Sequence, residues 1–410
     1  MNSTIRIKLS LMMFLEFFIW GAWFVTLGTY LGVTLKASGS DTGAVFSTQS
    51  WGAIIAPFIV GIIADRYFNA EKILAIIHLA GAILLYQAYK AANVDVLYPY
   101  ILGYMILYMP TLALVNSISF NQMNDPEKEF GKIRMWGTIG WIVAGALISY
   151  VFAWDSEKSI AEGLLKNTFL MASIASLVLG LLSFTLPKTP PKVDRNEKIK
   201  IGELLGFDAL KLLKDKNFAV FFVSAILICI PLAFYYQVAH PYLENSGIAN
   251  PTVKMTIGQI SEALFLLLIP VFFKKYGFKK TILVGMLAWS VRYLLFAFGN
   301  GNELAFMLYI GIALHGICYD FFFVSGQIYT NSKAGERYKS SAQGLITLAT
   351  YGVGMLIGFK VAGMIYDAYK LADGSVDYKM VWIIPAGIAF VVFLIFALLF
   401  NDKTKPEPEV

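Results

Sequence analysis

The chain has 410 residues, of which 58% are hydrophobic and 15% charged, and its mean hydropathy is +0.65. Soluble domains carry roughly 25% charged residues, so these figures exclude a soluble globular protein and indicate a multi-span membrane protein. The net charge of +6 does not mark a nucleic-acid binder, because most lysines and arginines sit in short connections between apolar runs, the pattern that orients membrane helices.

A spanning helix needs roughly 20 mostly apolar residues. Twelve stretches meet that length, at 8–33, 42–64, 72–91, 97–121, 133–153, 164–186, 217–242, 254–274, 279–299, 304–330, 340–367 and 379–400. Arg6 and Lys8 before the first run mimic a secretory signal, but the run continues to Gly32 and carries Glu16, so it reads as a retained span. One set of connections holds most of the basic residues, from Arg6 and Lys8 through Lys128, Lys132, Lys188, Lys274, Lys275 and Lys333 to Lys405. That side is expected to be cytoplasmic, with both termini on it.

The longest polar connection follows the sixth span and opens with Pro187, Pro190 and Pro191. It divides the chain into a six-helix half at 1–186, a cytoplasmic linker at 187–216 and a second half at 217–410. Part of the linker, Ile201 to Gly206, suits a short helix on the membrane surface. A basic turn with Gly61, Asp65 and Arg66 follows the second span, and another, Phe272 to Gly277, follows the eighth. This echo suggests two related halves.

Several polar residues stand in apolar surroundings. Glu16, Trp20 and Trp23 share a helix face by their spacing; Glu16 suits a cavity-lining acid and equally an acid bonded to a neighbouring helix, while Trp23 suits packing. In the fourth span Ser117 and Ser119 suit helix-to-helix hydrogen bonds, and Asn116 offers more to a ligand. Arg134, Thr138 and Trp141 repeat on one face of the fifth span; Arg134 reads as a snorkelling anchor or as the floor of a cavity with Trp141 stacked above it. In the seventh span Tyr235, Tyr236 and Gln237 suit a planar ligand with hydrogen-bonding edges. The eighth span sets Gln259 and Glu262 on one face, and the tenth sets His315 and Tyr319 one turn apart with Asp320 adjacent.

Intramembrane acids mark ion or substrate paths by default. The structural alternative is an ion pair, and Arg292 in the ninth span is the natural partner for Glu262, since both lie at similar depth from the outer ends. Asp320 lies deeper and is less well matched. A carboxyl in such a setting can load a proton on one side of the membrane and release it on the other. A proton moving down 100 mV releases about 2.3 kcal/mol, and a pH unit adds roughly 1.4 kcal/mol. The chain has no phosphate-binding G-x-x-x-x-G-K-[ST] loop. Cys229 and Cys318 give neither a disulfide framework nor a metal spacing, and His78, His240 and His315 lie too far apart for a His-rich metal site; no cofactor or metal is expected. No nucleophile and base stand at usable spacing, so the chain does not read as an enzyme.

The segments Leu27-Gly28-Thr29-Tyr30, Met109-Pro110-Thr111-Leu112, Ile133 to Gly140 and Gln259-Ile260-Ser261-Glu262 resemble the nucleoside–proton symporters, the bacterial nucleoside permeases of the major facilitator superfamily. The resemblance runs over nearly the whole chain. It implies an all-α membrane protein of two six-helix halves, importing nucleosides with protons by alternating access across the bacterial inner membrane, with the bilayer as its surroundings and a monomer as its working form. Nucleoside contacts are implied at Arg134, Thr138, Gln259, Glu262, Tyr319 and Asp320, with Asp320 and Glu262 the candidates for proton coupling. Trp141 stands where the family's best-known member has Phe, and His315 where that member has Tyr, so both join the expected binding set. The seventh span departs from the family's Gln and Asn, which leaves Tyr236 and Gln237 as its candidates. Glu16 replaces an expected Gln. The nearest alternative is a proton-coupled transporter of sugars or other small polar solutes on the same architecture.

Overall fold

The computed structural model describes residues 2–59, 67–124, 126–191 and 207–401. Helices dominate. In chain order they are α1 (Ser3–Thr34), α2 (Gly39–Phe58), α3 (Ala70–Lys90), α4 (Val94–Asn121), α5 (Pro126–Ala146), α6 (Asn167–Ser183), α7 (Lys216–Asn245), α8 (Pro251–Phe273), α9 (Lys275–Phe298), α10 (Ala305–Gly335), α11 (Ser341–Ala368) and α12 (Tyr378–Leu399). Among the described residues ten spans are long and apolar enough to cross a membrane. The other two long helices are the polar ones: α2 carries Ser47, Thr48, Gln49 and Ser50, and α5 opens with Glu127, Lys128, Glu129 and Lys132. They occupy the second and fifth expected spans. The loop residues Gly61, Asp65 and Arg66 and the linker segment Ile201 to Gly206 lie outside the described residues.

Polar side chains start several helices by accepting orphan backbone N–H groups. Asn93 accepts from Val96 at 2.9 Å before α4, and Asp215 accepts from Asn217 at 2.8 Å and Phe218 at 3.1 Å before α7. Asp215 also takes Lys333 Nζ at 3.2 Å. Burial pushes its carboxyl up, but the Phe218 N–H and the Lys333 ammonium outweigh it and hold the group below its usual range. Near the start of α9 and at the end of α10 the chain turns at a glycine with φ of 72° (Gly277) and 60° (Gly335). With ψ near 175° these are conformations open to glycine alone. Among the described residues, π turns lie at Tyr30–Thr34 in α1, Leu147–Val151 directly after α5, Asp320–Val324 in α10 and Leu348–Gly354 in α11.

The chain divides into two compact units. The first comprises Met1–Ala37, Val45–Lys200 and Ala249–Val253; the second comprises Ser38–Ala44, Ile201–Ile248 and Lys254–Val410. Within each, glycines let helix backbones touch, as packing in lipid favours. In the first unit a Cβ on Gly140 of α5 would strike the Phe14 carbonyl of α1. In the second, a Cβ on Gly316 of α10 would lie 2.5 Å from the Ser261 backbone of α8. Apolar side chains such as Leu264, Leu267 and Leu398 point outward, with exposures of 60%, 74% and 81%, as expected of surfaces that face lipid.

Candidate functional site

The second unit gathers most of the expected site residues. Gly316 and Gly258 let α8 and α10 pack closely: a Cβ on Gly258 would lie 3.2 Å from the His315 Cβ. The Ser261 hydroxyl donates to the Ala313 carbonyl and ties the same two helices. This contact sets Glu262 beside His315, with Oε2 3.9 Å from Nε2. The other ring nitrogen, Nδ1, lies 3.0 Å from Arg292 Nη1 of α9. The expected Glu262–Arg292 ion pair is therefore replaced by a chain in which His315 stands between acid and base. An imidazole thus stands between the two side chains.

Arg292 is fully buried. Its guanidinium lies 3.6 Å above the Tyr235 ring, with Trp289 at 5.6 Å and Phe296 at 5.7 Å. Nε and Nη2 find no hydrogen-bond acceptor, so aromatic faces hold the charge. The Tyr235 ring stacks on His315 at 5.4 Å, and His315 stacks on Tyr319 at 5.8 Å. Tyr319 shares a 2.5 Å hydrogen bond between hydroxyls with Tyr351 of α11.

Asp320 follows directly and begins the π turn of α10. The Ser325 N–H reaches back to the Asp320 carbonyl, and the Ser325 hydroxyl joins it at 3.2 Å. The Asp320 side chain is 1% exposed, and neither carboxylate oxygen has a hydrogen-bond partner. Such π turns recur at functional positions in helices. Gln259 is half-buried with Oε1 unpartnered. On α7, Tyr236 has Tyr351 and Glu262 among its electrostatic neighbours. Gln237 is 2% exposed; its Nε2 donates to the Gly39 carbonyl at 3.0 Å, and its Oε1 has no partner.

The first unit holds Arg134, Thr138 and Trp141 on α5. The Arg134 guanidinium lies 4.0 Å from the centre of the Phe17 ring. Trp141 meets Trp20 edge to face at 5.7 Å and packs over Gly21. Thr138 is half-buried between them in sequence. Glu16 is bonded to neighbouring helices: Oε2 lies 2.9 Å from His78 Nε2, and Thr111 Oγ1 donates to Oε1 at 2.5 Å. The Tyr108 hydroxyl donates to the Glu16 carbonyl at 2.7 Å. Trp23 packs between Phe24, Tyr104 and Phe169.

Two participants escaped the sequence reading. Arg292 was expected as a counter-ion and instead meets His315. Tyr351 was not singled out, although an aromatic hydroxyl flanked by Thr350, Gly352 and Gly354 in an apolar span is itself a signal.

The α8–α10 contact yields a test. Gly316→Ala places a methyl group against the Ser261 and Glu262 backbone, and the two helices must separate. Displacing a binding group by about 1 Å can cost roughly 100-fold in rate. Uptake by Gly316→Ala in proteoliposomes is expected to fall by at least about tenfold with the protein still folded by size exclusion. Wild-type uptake would show that this contact does not position Glu262.

Comparison with known proteins accords with this arrangement. The Nucleoside H+ symporter family profile matches residues 1–405. The chain is 39% identical over 408 residues to YegT of Escherichia coli (strain K12), covering 97% of this chain and 94% of that protein. It is 32% identical over 419 residues to the xanthosine permease of the same strain, covering 98% of each. A crystal structure of a mutant of the nucleoside transporter NupG superposes with a TM-score of 0.89 at 32% identity, covering 97% of this chain and 100% of that one. The all-helical architecture is thus the major facilitator fold, and the chain belongs to the nucleoside H+ symporter family.

Proposed function

We propose that this chain imports nucleosides together with protons, and that Asp320 and Glu262 carry the coupling. As a member of the nucleoside H+ symporter family it is a secondary active transporter. The observation that carries the assignment of residues is the Asp320 side chain: a carboxyl group 1% exposed with no hydrogen-bond partner on either oxygen. An unpaired ion in such a place costs several kcal/mol. A group kept there at that cost is best accounted for by a proton that comes and goes. Glu262, half-exposed by comparison, lies on the adjacent helix and suits direct contact with substrate.

Gln259, Tyr236, Gln237, His315, Tyr319, Arg134, Thr138 and Trp141 are proposed as the nucleoside contacts. Amides and carboxylates suit ribose hydroxyls and base edges, and the tyrosine and tryptophan rings suit the base faces. The proposed cycle is alternating access, with the chain read as halves 1–186 and 217–410 and a linker 187–216. The basic connections support a cytoplasmic position for both termini. A bacterial inner-membrane location and a monomeric working form complete the reading, and the substrate leaves chemically unchanged.

Proteoliposomes containing only this protein test it. Under an inward proton gradient, radiolabelled uridine is expected to accumulate, and excess adenosine to compete while glucose does not. Recovery of a nonmetabolised nucleoside analogue unaltered from the lumen is expected as well. Competition by glucose with none by nucleosides would transfer the assignment to sugars.

A further inference from the structure

We infer that Arg292 is a positioning residue that fixes the proton of His315 on Nε2, so that the ring serves the site as a donor and is not itself the proton carrier. The inference deepens the nucleoside–proton reading as far as its use in transport is concerned. The protonation pattern itself follows from hydrogen bonding alone.

A guanidinium has donors and no acceptor. Arg292 Nη1 lies 3.0 Å from His315 Nδ1, so that nitrogen must present its lone pair. The neutral ring then carries its hydrogen on Nε2. Protonating Nδ1 as well would set N–H against N–H and put a second cation beside a guanidinium whose Nε and Nη2 have no hydrogen-bond acceptor among the described residues. Neither residue is open to water: Arg292 is 0% exposed and His315 3%. The aromatic cage of Tyr235, Trp289 and Phe296 fixes the guanidinium in place. Around the imidazole stand Arg292 from α9, Glu262 from α8, Tyr235 from α7 and Tyr319 from its own helix. Of these only Glu262 faces Nε2, at 3.9 Å, beyond hydrogen-bond length.

The pair therefore presents a fixed donor beside an acceptor, 3.9 Å apart. A hydroxyl group lying to one side of the two can bridge them, since its oxygen can accept from Nε2 while its hydrogen goes to the carboxylate. Among the parts of a nucleoside, this matches a ribose hydroxyl and not a ring carbonyl, which could only accept. A tyrosine at position 315 could donate or accept; His315 held by Arg292 can only donate toward Glu262.

The chain has three histidines, His78, His240 and His315, so nitrogen NMR of the full chain labelled with 15N-histidine in lipid nanodiscs can resolve them. The resonances lost in His315→Gln identify the ring. They are expected to show a bare Nδ1 and a protonated Nε2, unchanged across about pH 5 to 8, where a free histidine titrates. Arg292→Lys is expected to preserve the pattern, because an ammonium also only donates. Arg292→Met is expected to release the ring to the other tautomer or to titration. In transport, His315→Gln is expected to lower uptake without moving the midpoint of its pH profile. A wild-type His315 that titrates in this range or carries its hydrogen on Nδ1 overturns the inference, as does an unchanged pattern in Arg292→Met. The two readings separate: the NMR pattern with no nucleoside uptake spares this inference and rejects the substrate, and nucleoside uptake with a titrating His315 does the reverse.

Discussion

Asp320→Asn is expected to abolish proton-driven accumulation of nucleoside while leaving exchange of nucleoside across the membrane. The asparagine has nearly the same size and keeps a polar group at the start of the π turn, so α10 loses no packing. What it lacks is a site that changes by one unit of charge. In the wild type the two unpartnered oxygens of Asp320 leave the ionised form without compensation, and the cost of several kcal/mol exceeds the roughly 2.3 kcal/mol that 100 mV supplies per charge. A cycle that reorients most readily with this group neutral can draw on the gradient only if the group must be protonated first. The amide is permanently neutral, so reorientation proceeds with no proton and accumulation falls to equilibration. Two measurements decide it: uptake driven by a pH gradient, and counterflow of labelled against unlabelled nucleoside with no gradient. Full accumulation by Asp320→Asn would remove Asp320 from the coupling step and leave Glu262 as the carrier.

His78→Leu is expected to cost about 3–5 kcal/mol of stability, the usual penalty for stranding one member of a buried charged pair. The network in the first unit fixes how protons are counted. Ser176 Oγ donates to the His78 carbonyl at 2.8 Å, so its own hydrogen is already used. Its 3.1 Å contact with Nδ1 must then be a hydrogen bond donated by the ring. With the Thr111 hydroxyl, which also lies 2.5 Å from the Tyr108 carbonyl, giving its hydrogen to Glu16 Oε1, one further proton remains for the 2.9 Å contact between Nε2 and Glu16, and the pair is then neutral overall whichever partner holds it. Glu16→Gln keeps the geometry, because an amide N–H can donate to a neutral Nε2 while the amide oxygen still accepts from Thr111. Its melting temperature in detergent is expected to stay near the wild-type value, and that of His78→Leu to fall clearly. Replacing both Glu16 and His78 by leucine should recover much of the loss, since apolar substitutes for a buried pair are often neutral or better. Equal melting temperatures for His78→Leu and the wild type would show that the pair contributes nothing.

The sequence made the spans legible because hydrocarbon demands long apolar helices, and Gly299 and Asn121 close α9 and α4 close to where the apolar pattern ends. It also exposed the buried acids, since charge inside an apolar run needs no packing information to be noticed. What it did not reveal depends on rotation and on third parties. Equal depth suggested that Glu262 meets Arg292, but the ring of His315 comes between them from another helix. Glu16 and His78 are 62 residues apart, and only the packing of α1 against α3, α4 and α6 brings Glu16, His78, Thr111 and Ser176 together. Gln237 read as a free amide beside two tyrosines, and its N–H goes to the Gly39 backbone. The π turns leave no mark that periodicity would detect, because an entirely apolar stretch such as Phe321-Phe322-Phe323 has no face to lose.

That widened turn in α10 explains how the helix accommodates an acid without surrendering an aromatic. An ordinary α-helix brings a given face round every 3.6 residues, so four residues in a row can hardly all look the same way. Asp320, Phe321, Phe322 and Phe323 are nonetheless all buried. The extra residue rotates the segment beyond Ser325 by about 100° relative to the segment before Asp320. In this respect α10 behaves as two shorter helices spliced with a spare position, and Asp320 stands at the splice.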